Sequence, residues 1–233
     1  MASMERVPTG IPGLDEMLRG GLPQGRTVLL LGGPGAGKTI LAVQFLVKGI
    51  YEHNENGVYV SLDESREELY AEMKAFGWRL EEAEKAGRLS FVDAHPRRVR
   101  RFDLDRLFSQ IRREVKRVSA KRIVVDPLTS LVLVYPDVVR RREAILDIFS
   151  TLNELGTTNI ATLELRARGV ERGVHLEEYL ANGVILLQRV RVGRTMTKII
   201  EIEKMRGIEH DDQPRPYRIT EMGIEVYSGE TVF

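Results

Sequence analysis

The octapeptide Gly32-Gly33-Pro34-Gly35-Ala36-Gly37-Lys38-Thr39 constrains this chain more than any other stretch. It matches G-x-x-x-x-G-K-[ST], the loop that cradles the phosphates of a nucleoside triphosphate. Glycines let the backbone curl into a concave nest of N–H groups facing one anion, a shape that side chains obstruct. Lys38 offers a point charge to the β- and γ-phosphates, and the Thr39 hydroxyl is a ligand for Mg²⁺. A helix starting at the loop aims its positive dipole end at the same anion.

The motif has the flanks it requires. Val28-Leu29-Leu30-Leu31 reads as a buried parallel strand. Behind the loop, Ile40, Leu41, Val43, Phe45, Leu46, Val47 and Ile50 make an apolar helix to about His53. Strand, glycine-rich turn and helix together point to nucleotide binding.

The rest of the chain alternates strands with helices up to Gly183. Strands are expected at Gly57 to Leu62, Leu89 to Val92, Arg122 to Asp126 and Asn159 to Leu163. Ser65-Arg66-Glu67-Glu68 is a capping box, with Leu69, Met73 and Phe76 at helical spacing behind it. Leu104, Leu107, Phe108, Ile111, Val115 and Val118 mark one face of an amphipathic helix from Asp103 to about Ser119. Another helix is expected from Asp137 to Leu155. Beyond Gly183 the strands Val184 to Val190, Thr197 to Ile202, Tyr217 to Thr220 and Ile224 to Tyr227 follow with no helix between them. The expected class is α/β: a mostly parallel central sheet flanked by helices, with extra antiparallel strands at the C-terminus.

At 233 residues one large core, and so one domain over 1–233, is the simplest organisation. Residues 1–26 form the entry segment of that domain and 183–233 its strand-rich end. The net charge of +1 gives no global pull towards nucleic acid or membrane. Without cysteine there is neither a disulfide, nor a thiolate metal site, nor a cysteine nucleophile. No signal-like start and no long apolar run are visible, so a cytoplasmic protein is expected, with no membrane partner. Charged residues at 30%, with few Asn and Gln, lean towards a thermophilic source.

Ile123-Val124-Val125-Asp126 is an apolar strand ending in a carboxylate. In an open parallel sheet ligands sit at the carboxyl ends of strands, where Asp126 can hold Mg²⁺ through water opposite Thr39. Asp63 and Glu64 follow another strand end and carry two readings. A carboxylate there can polarise the water that attacks a γ-phosphate; equally, both acids favour the positive start of the helix capped by Ser65.

A resemblance adds to this. Thr9-Gly10-Ile11-Pro12-Gly13-Leu14-Asp15, Gly20-Gly21-Leu22-Pro23-Gln24-Gly25, the phosphate loop, Val60-Ser61-Leu62-Asp63-Glu64, Ala75-Phe76-Gly77-Trp78, Asp126-Pro127-Leu128-Thr129-Ser130 and Lys204-Met205-Arg206-Gly207 stand in one order over almost the whole chain. That order resembles the RecA/RadA superfamily, and most of all the KaiC-like ATPases of archaea and bacteria. The resemblance implies a RecA-like P-loop fold, ATP and Mg²⁺ as ligands, and slow ATP hydrolysis. It makes Glu64 the catalytic glutamate, with Asp63 an acidic neighbour, and Glu164 a polar sensor of the γ-phosphate. It further implies a homohexamer with ATP at subunit interfaces, where Lys204 and Arg206 reach the γ-phosphate of the adjacent subunit. His210, Thr220 and Glu221 fall where the family lines that interface.

Two basic segments bear on partners. Arg97, Arg98, Arg100, Arg101, Arg106, Arg112, Arg113, Lys116, Arg117, Lys121 and Arg122 face only Asp103, Asp105 and Glu114 in the same stretch. They suit nucleic acid, or else the acidic stretch Asp63 to Glu84. The segment Arg166 to His175 corresponds to a loop that faces the channel of RecA-type rings, and Arg166, Arg168 and Arg172 suit phosphates. It lacks Ser and Thr up to Arg172, so the autophosphorylation of the two-domain clock proteins is not expected. The alternatives are a RadA-paralogue-like ATPase that binds single-stranded DNA and a small-molecule P-loop kinase. Too few residues precede Gly32 for the DNA-binding domain of a full recombinase, and the strand-rich C-terminus does not suit a kinase.

Overall fold

The apolar run ahead of the phosphate loop becomes the central strand of a nine-stranded sheet. The structure, a computed structural model, describes residues 4–96, 102–165 and 176–232. In chain order these form β1 (Arg6–Val7), α1 (Leu14–Met17), β2 (Leu22–Pro23), β3 (Thr27–Gly32), α2 (Lys38–Glu52), β4 (Gly57–Ser61), α3 (Arg66–Met73), α4 (Leu80–Lys85) and β5 (Leu89–Asp93). There follow α5 (Leu104–Val118), β6 (Arg122–Asp126), a 3₁₀ turn at Leu128–Leu133, α6 (Val138–Glu154), β7 (Thr158–Glu164), α7 (Leu176–Leu180), β8 (Gly183–Val192), β9 (Thr195–Met205), β10 (Arg215–Thr220) and β11 (Gly223–Val226).

Strand order is β11-β10-β9-β8-β3-β7-β6-β4-β5, with β1 and β2 paired separately. The six strands from β8 to β5 are parallel; β9, β10 and β11 are added antiparallel. This is the expected α/β architecture. The parallel strands read as continuous apolar runs because both faces are covered. Leu30, Tyr59, Val124, Ile160 and Leu187 face α2. The alternate residues Leu29, Leu31, Val58, Val60, Ile123 and Val125 face Phe108 and Ile111 of α5 and Ile148 and Phe149 of α6.

Sequence signals for the helix ends agree with the structure. Ser65 and Glu68 form the reciprocal capping box at α3, while Asp103 and Asp137 cap α5 and α6 through the amides of Arg106 and Arg140. The short elements α1, α4, α7, β1 and β2 had no counterpart in the sequence reading, since two to six residues carry too little periodicity to register.

One expectation fails. Arg122, counted with the basic surface stretch, is fully buried. Its Nε donates to Glu55 Oε2 at 2.6 Å, its Nη1 to the Phe45 carbonyl at 2.8 Å, and its guanidinium lies 4.5 Å from the Phe45 ring centroid. It therefore pins α2, which carries the phosphate loop, to β6, which carries Asp126. Gly49 is required there, because a Cβ would stand 2.4 Å from Arg122 Nε. Arg122→Ala leaves Glu55 unpaired beside a void, and a loss of about 3 kcal/mol is expected in urea unfolding. Arg122→Met keeps the packing and should lose less.

Candidate nucleotide site

Register brings the carboxyl ends of four strands together. Gly32 of β3 pairs with Glu164 of β7, and Ser61 of β4 pairs with Asp126 of β6. β3 leads through α2 to β4, past the intervening β7 and β6, and the crevice at such a crossover is where ligands bind in open α/β sheets. Here it is a cavity of about 120 Å³ lined by Lys38, Thr39, Tyr59, Ser61, Asp63, Glu64, Asp126, Pro127 and Glu164. The sequence had separated these candidates by up to a hundred residues and more; the sheet collects them.

The phosphate loop is shaped as the motif requires. Gly35 and Gly37 have φ of +71° and +96°, the left-handed region that glycine tolerates. A Cβ on Gly33 or Gly35 would meet no atom within 4 Å, so the cradle is open where an anion enters. Lys38 Nζ donates to the Gly32 and Gly33 carbonyls at 2.9 and 3.1 Å, at the lip of that cradle. Burial lowers the Lys38 pKa, and the Glu164 and Asp126 carboxylates oppose that shift. A triphosphate fits these groups.

Asp126 is 5% exposed and accepts from two hydroxyls, Tyr59 at 2.7 Å and Thr162. Both oxygens thus hold protein donors while the carboxylate still lines the cavity beside Thr39. That suits a hydrated Mg²⁺, whose water shell donates to carboxylates.

Glu64 is placed differently. Ser61 Oγ donates to its carbonyl at 2.6 Å and fixes the turn after β4. Its side-chain Oε2 is buried without a hydrogen-bond partner among the described residues. Burial, followed by the charges of Glu72, Asp126, Asp63 and Glu68, pushes its pKa up to about 7. Asp63 instead turns outward and lies 3.6 Å from His95 Nε2. Structure thus separates the two acids that spacing had left equivalent. Glu164, at the end of β7, donates its amide to Thr129 Oγ1 at 2.8 Å.

Lys204, Arg206, His210, Thr220 and Glu221 do not line this cavity. A register shift at Val184/Ile185 leaves an extra residue, Glu203, in β9 next to Lys204. Lys204 Nζ donates to the Glu178 carbonyl, and Arg206 Nη2 to the Tyr179 carbonyl at 3.0 Å, so both cations reach α7 of their own chain. His210 Nδ1 lies 3.2 Å from the Asp211 carbonyl in the loop between β9 and β10. Thr220, at the β10–β11 turn, donates to the Gly223 carbonyl at 3.1 Å, and Glu221 lies in that turn.

The sequence reading missed how the C-terminal strands reach the loop. After Pro216, β10 parts from β9, and β11 beside it packs on α2. Tyr217 Oη donates to the Ala36 carbonyl at 2.5 Å, and the Gln44 amide bonds both backbone groups of Ile224. Between the parted strands lies a cleft of about 600 Å³ lined by Met196, Lys198, Tyr217, Arg218 and Tyr227 among others. Tyr59 and Thr162 were missed as well; the available signal was a polar side chain on the buried face of a strand.

Of the basic segments, Arg97, Arg98, Arg100, Arg101 and residues 166–175 lie outside the described residues. On α5, Arg113 and Arg117 pair with Glu114, and Arg112 with Glu154. Among the described residues no helix is long and apolar enough to cross a membrane.

Comparison with known proteins bears on the family and the fold. The family described as "ATPase: KaiC" matches residues 7–231. A UPF0273 protein of Methanopyrus kandleri is 36% identical, over 96% of this chain and 92% of its own length. A second, from Aeropyrum pernix, is 35% identical over 98% and 96%. The circadian clock protein KaiC3 of Synechocystis is 36% identical over 93% of this chain, which spans 44% of that longer protein. The crystal structure of a KaiC-like protein from the hyperthermophilic archaeon Pyrococcus horikoshii superposes with a TM-score of 0.86 at 40% identity, covering 96% of this chain and 99% of that one. With a RecA-like fold and a phosphate loop in place, and with the match running nearly end to end, this chain belongs to the KaiC-like ATPase family.

Proposed function

We propose that the protein hydrolyses ATP with Mg²⁺, as a homohexamer whose sites lie between subunits. The observation that carries the reading is Glu64: a partly buried carboxylate with one oxygen unpartnered among the described residues, in one cavity with Lys38, Thr39 and Asp126. A site that only held a nucleotide has no use for such a group, whereas hydrolysis needs a base beside the γ-phosphate.

The roles follow from position. Backbone N–H groups of Gly33 to Thr39 hold the phosphates, and Lys38 leaves its carbonyls for the β- and γ-oxygens. Thr39 and, through water, Asp126 hold Mg²⁺, which supplies neutralisation of charge on the β- and γ-oxygens. Glu64 accepts the proton of the attacking water as its oxygen bonds the γ-phosphorus and the bond to ADP breaks. Glu164, flanking Lys38, reads whether the γ-phosphate is present. The cavity of Glu64 and Asp126 lies on the β4–β6 side of the loop and the larger cleft on the β8–β11 side, so a triphosphate laid along the loop directs its nucleoside towards that cleft.

Lys204 and Arg206 complete the site of the adjacent subunit, with His210, Thr220 and Glu221 on the same interface. Their absence from the cavity of their own chain is what a role in trans requires. Nucleic-acid binding is not favoured by the described residues, since Arg122 is buried and Arg112, Arg113 and Arg117 are paired within the chain.

Phosphate release from ATP and Mg²⁺ with no acceptor added, alongside light scattering with and without ATP-Mg²⁺, tests the reading. Release by an assembly of six is expected. No release, or a monomer under both conditions, would remove it.

A further inference from the structure

Asp126 stands on the middle strand of three. β4 flanks β6 on one side and β7 on the other. Ser61 pairs with Asp126 and Ile160 with Val124, so Tyr59, Asp126 and Thr162 project from the same face of the sheet, the one under α2. Each neighbouring strand supplies one hydroxyl. Tyr59 Oη donates to Asp126 Oδ2 at 2.7 Å from one side, and Thr162 Oγ1 to Oδ1 from the other. Tyr59 and Thr162 are 3% and 0% exposed, so solvent does not replace either donor.

We propose that Tyr59 and Thr162 are positioning residues that clamp the Asp126 carboxylate in the orientation that captures a hydrated divalent cation. The inference rests on the reading of Asp126 as the Mg²⁺ holder. An ionised carboxylate offers about four lone-pair sites. One on each oxygen is taken by a hydroxyl, which fixes the carboxylate plane and leaves the remaining pairs facing the cavity. Without the clamp the group would rotate about its terminal bond, a broad and soft torsion. It would then offer cation-bound water a moving target. The Tyr59 ring is itself held, stacked 5.7 Å from Phe91 at an interplanar angle of 13°. Donors behind a metal ligand commonly set affinity by roughly 10–100-fold, although here the contact runs through water.

The test is a Mg²⁺ titration, started from EDTA, of a fluorescent non-hydrolysable ATP analogue bound to the full chain. Tyr59→Phe and Thr162→Val remove one hydroxyl each at nearly constant shape. Each should raise the half-saturating Mg²⁺ concentration by about tenfold, with affinity for the analogue in EDTA unchanged. Thr162→Ser keeps the hydroxyl and should behave as the parent does; it and Tyr59→Phe decide the matter if Thr162→Val fails to fold. An unchanged Mg²⁺ requirement in Tyr59→Phe and Thr162→Val, beside a raised one in Asp126→Asn, overturns the clamp and spares the metal reading. An Asp126→Asn variant with the parent's Mg²⁺ requirement overturns both. Equal loss of affinity with and without Mg²⁺ overturns the clamp in favour of a purely structural role.

Discussion

Glu64→Gln is expected to cut phosphate release by roughly 10²–10⁴-fold, the contribution of a positioned general base, while ATP binding persists. The glutamine keeps the shape and one acceptor oxygen but cannot take a proton. Glu64 is also unusual in its ionisation, since burial and then neighbouring carboxylates hold its pKa at about 7. A base must be ionised to act, so turnover should rise as pH increases through about 7 and flatten above it. Stability runs the other way. A carboxylate whose folded pKa is raised contributes stability that is fully present below its unfolded pKa and lost as pH rises through its folded one. Glu64 therefore costs stability above neutrality, and the Glu64→Gln variant should melt no lower than the parent at pH 8. Equal turnover in the two proteins, or a collapse of the variant's melting temperature, would remove Glu64 as the base.

Arg206→Ala should be more damaging still, by roughly 10³–10⁵-fold, the range for an arginine that meets a transferring phosphoryl group. The structure gives this prediction a sharper form than loss of rate. Arg206 lies outside the cavity of its own chain, while Glu64 lines it. On the proposed trans arrangement, Arg206→Ala and Glu64→Gln damage different halves of each subunit interface. Mixed and reassembled, the two inactive variants form some interfaces with Glu64 from one subunit and Arg206 from its neighbour, and activity should return in part. If both residues acted within one chain, mixing would restore nothing. Lys204→Ala should complement Glu64→Gln in the same way, because its side chain reaches α7 beside that of Arg206.

Parts of this site were legible in the sequence for specific reasons. The phosphate loop is contiguous, and its glycines are dictated by backbone shape. Asp126 was visible because a carboxylate ends an apolar strand, and the α3 cap because Ser65 and Glu68 act three residues apart. Interactions between distant residues left no such mark. Arg122 read as one more surface cation, since nothing in its neighbourhood foretells Glu55, Phe45 and the gap at Gly49. Asp63 and Glu64 were indistinguishable in spacing, because burial belongs to the fold and not to the dipeptide.

The sequence by itself determined that the chain folds as α/β around a phosphate loop, because local periodicity and glycine geometry are properties of neighbouring residues. Tertiary structure alone decided which acid is desolvated, which hydroxyls hold Asp126, and how β10 and β11 reach back to seat Tyr217 on the loop and Gln44 against Ile224. Those outcomes depend on packing across more than a hundred residues of intervening chain. Desolvation and hydrogen-bond partnership are set by whatever the fold brings within a few ångströms, and sequence order carries no distance of that kind.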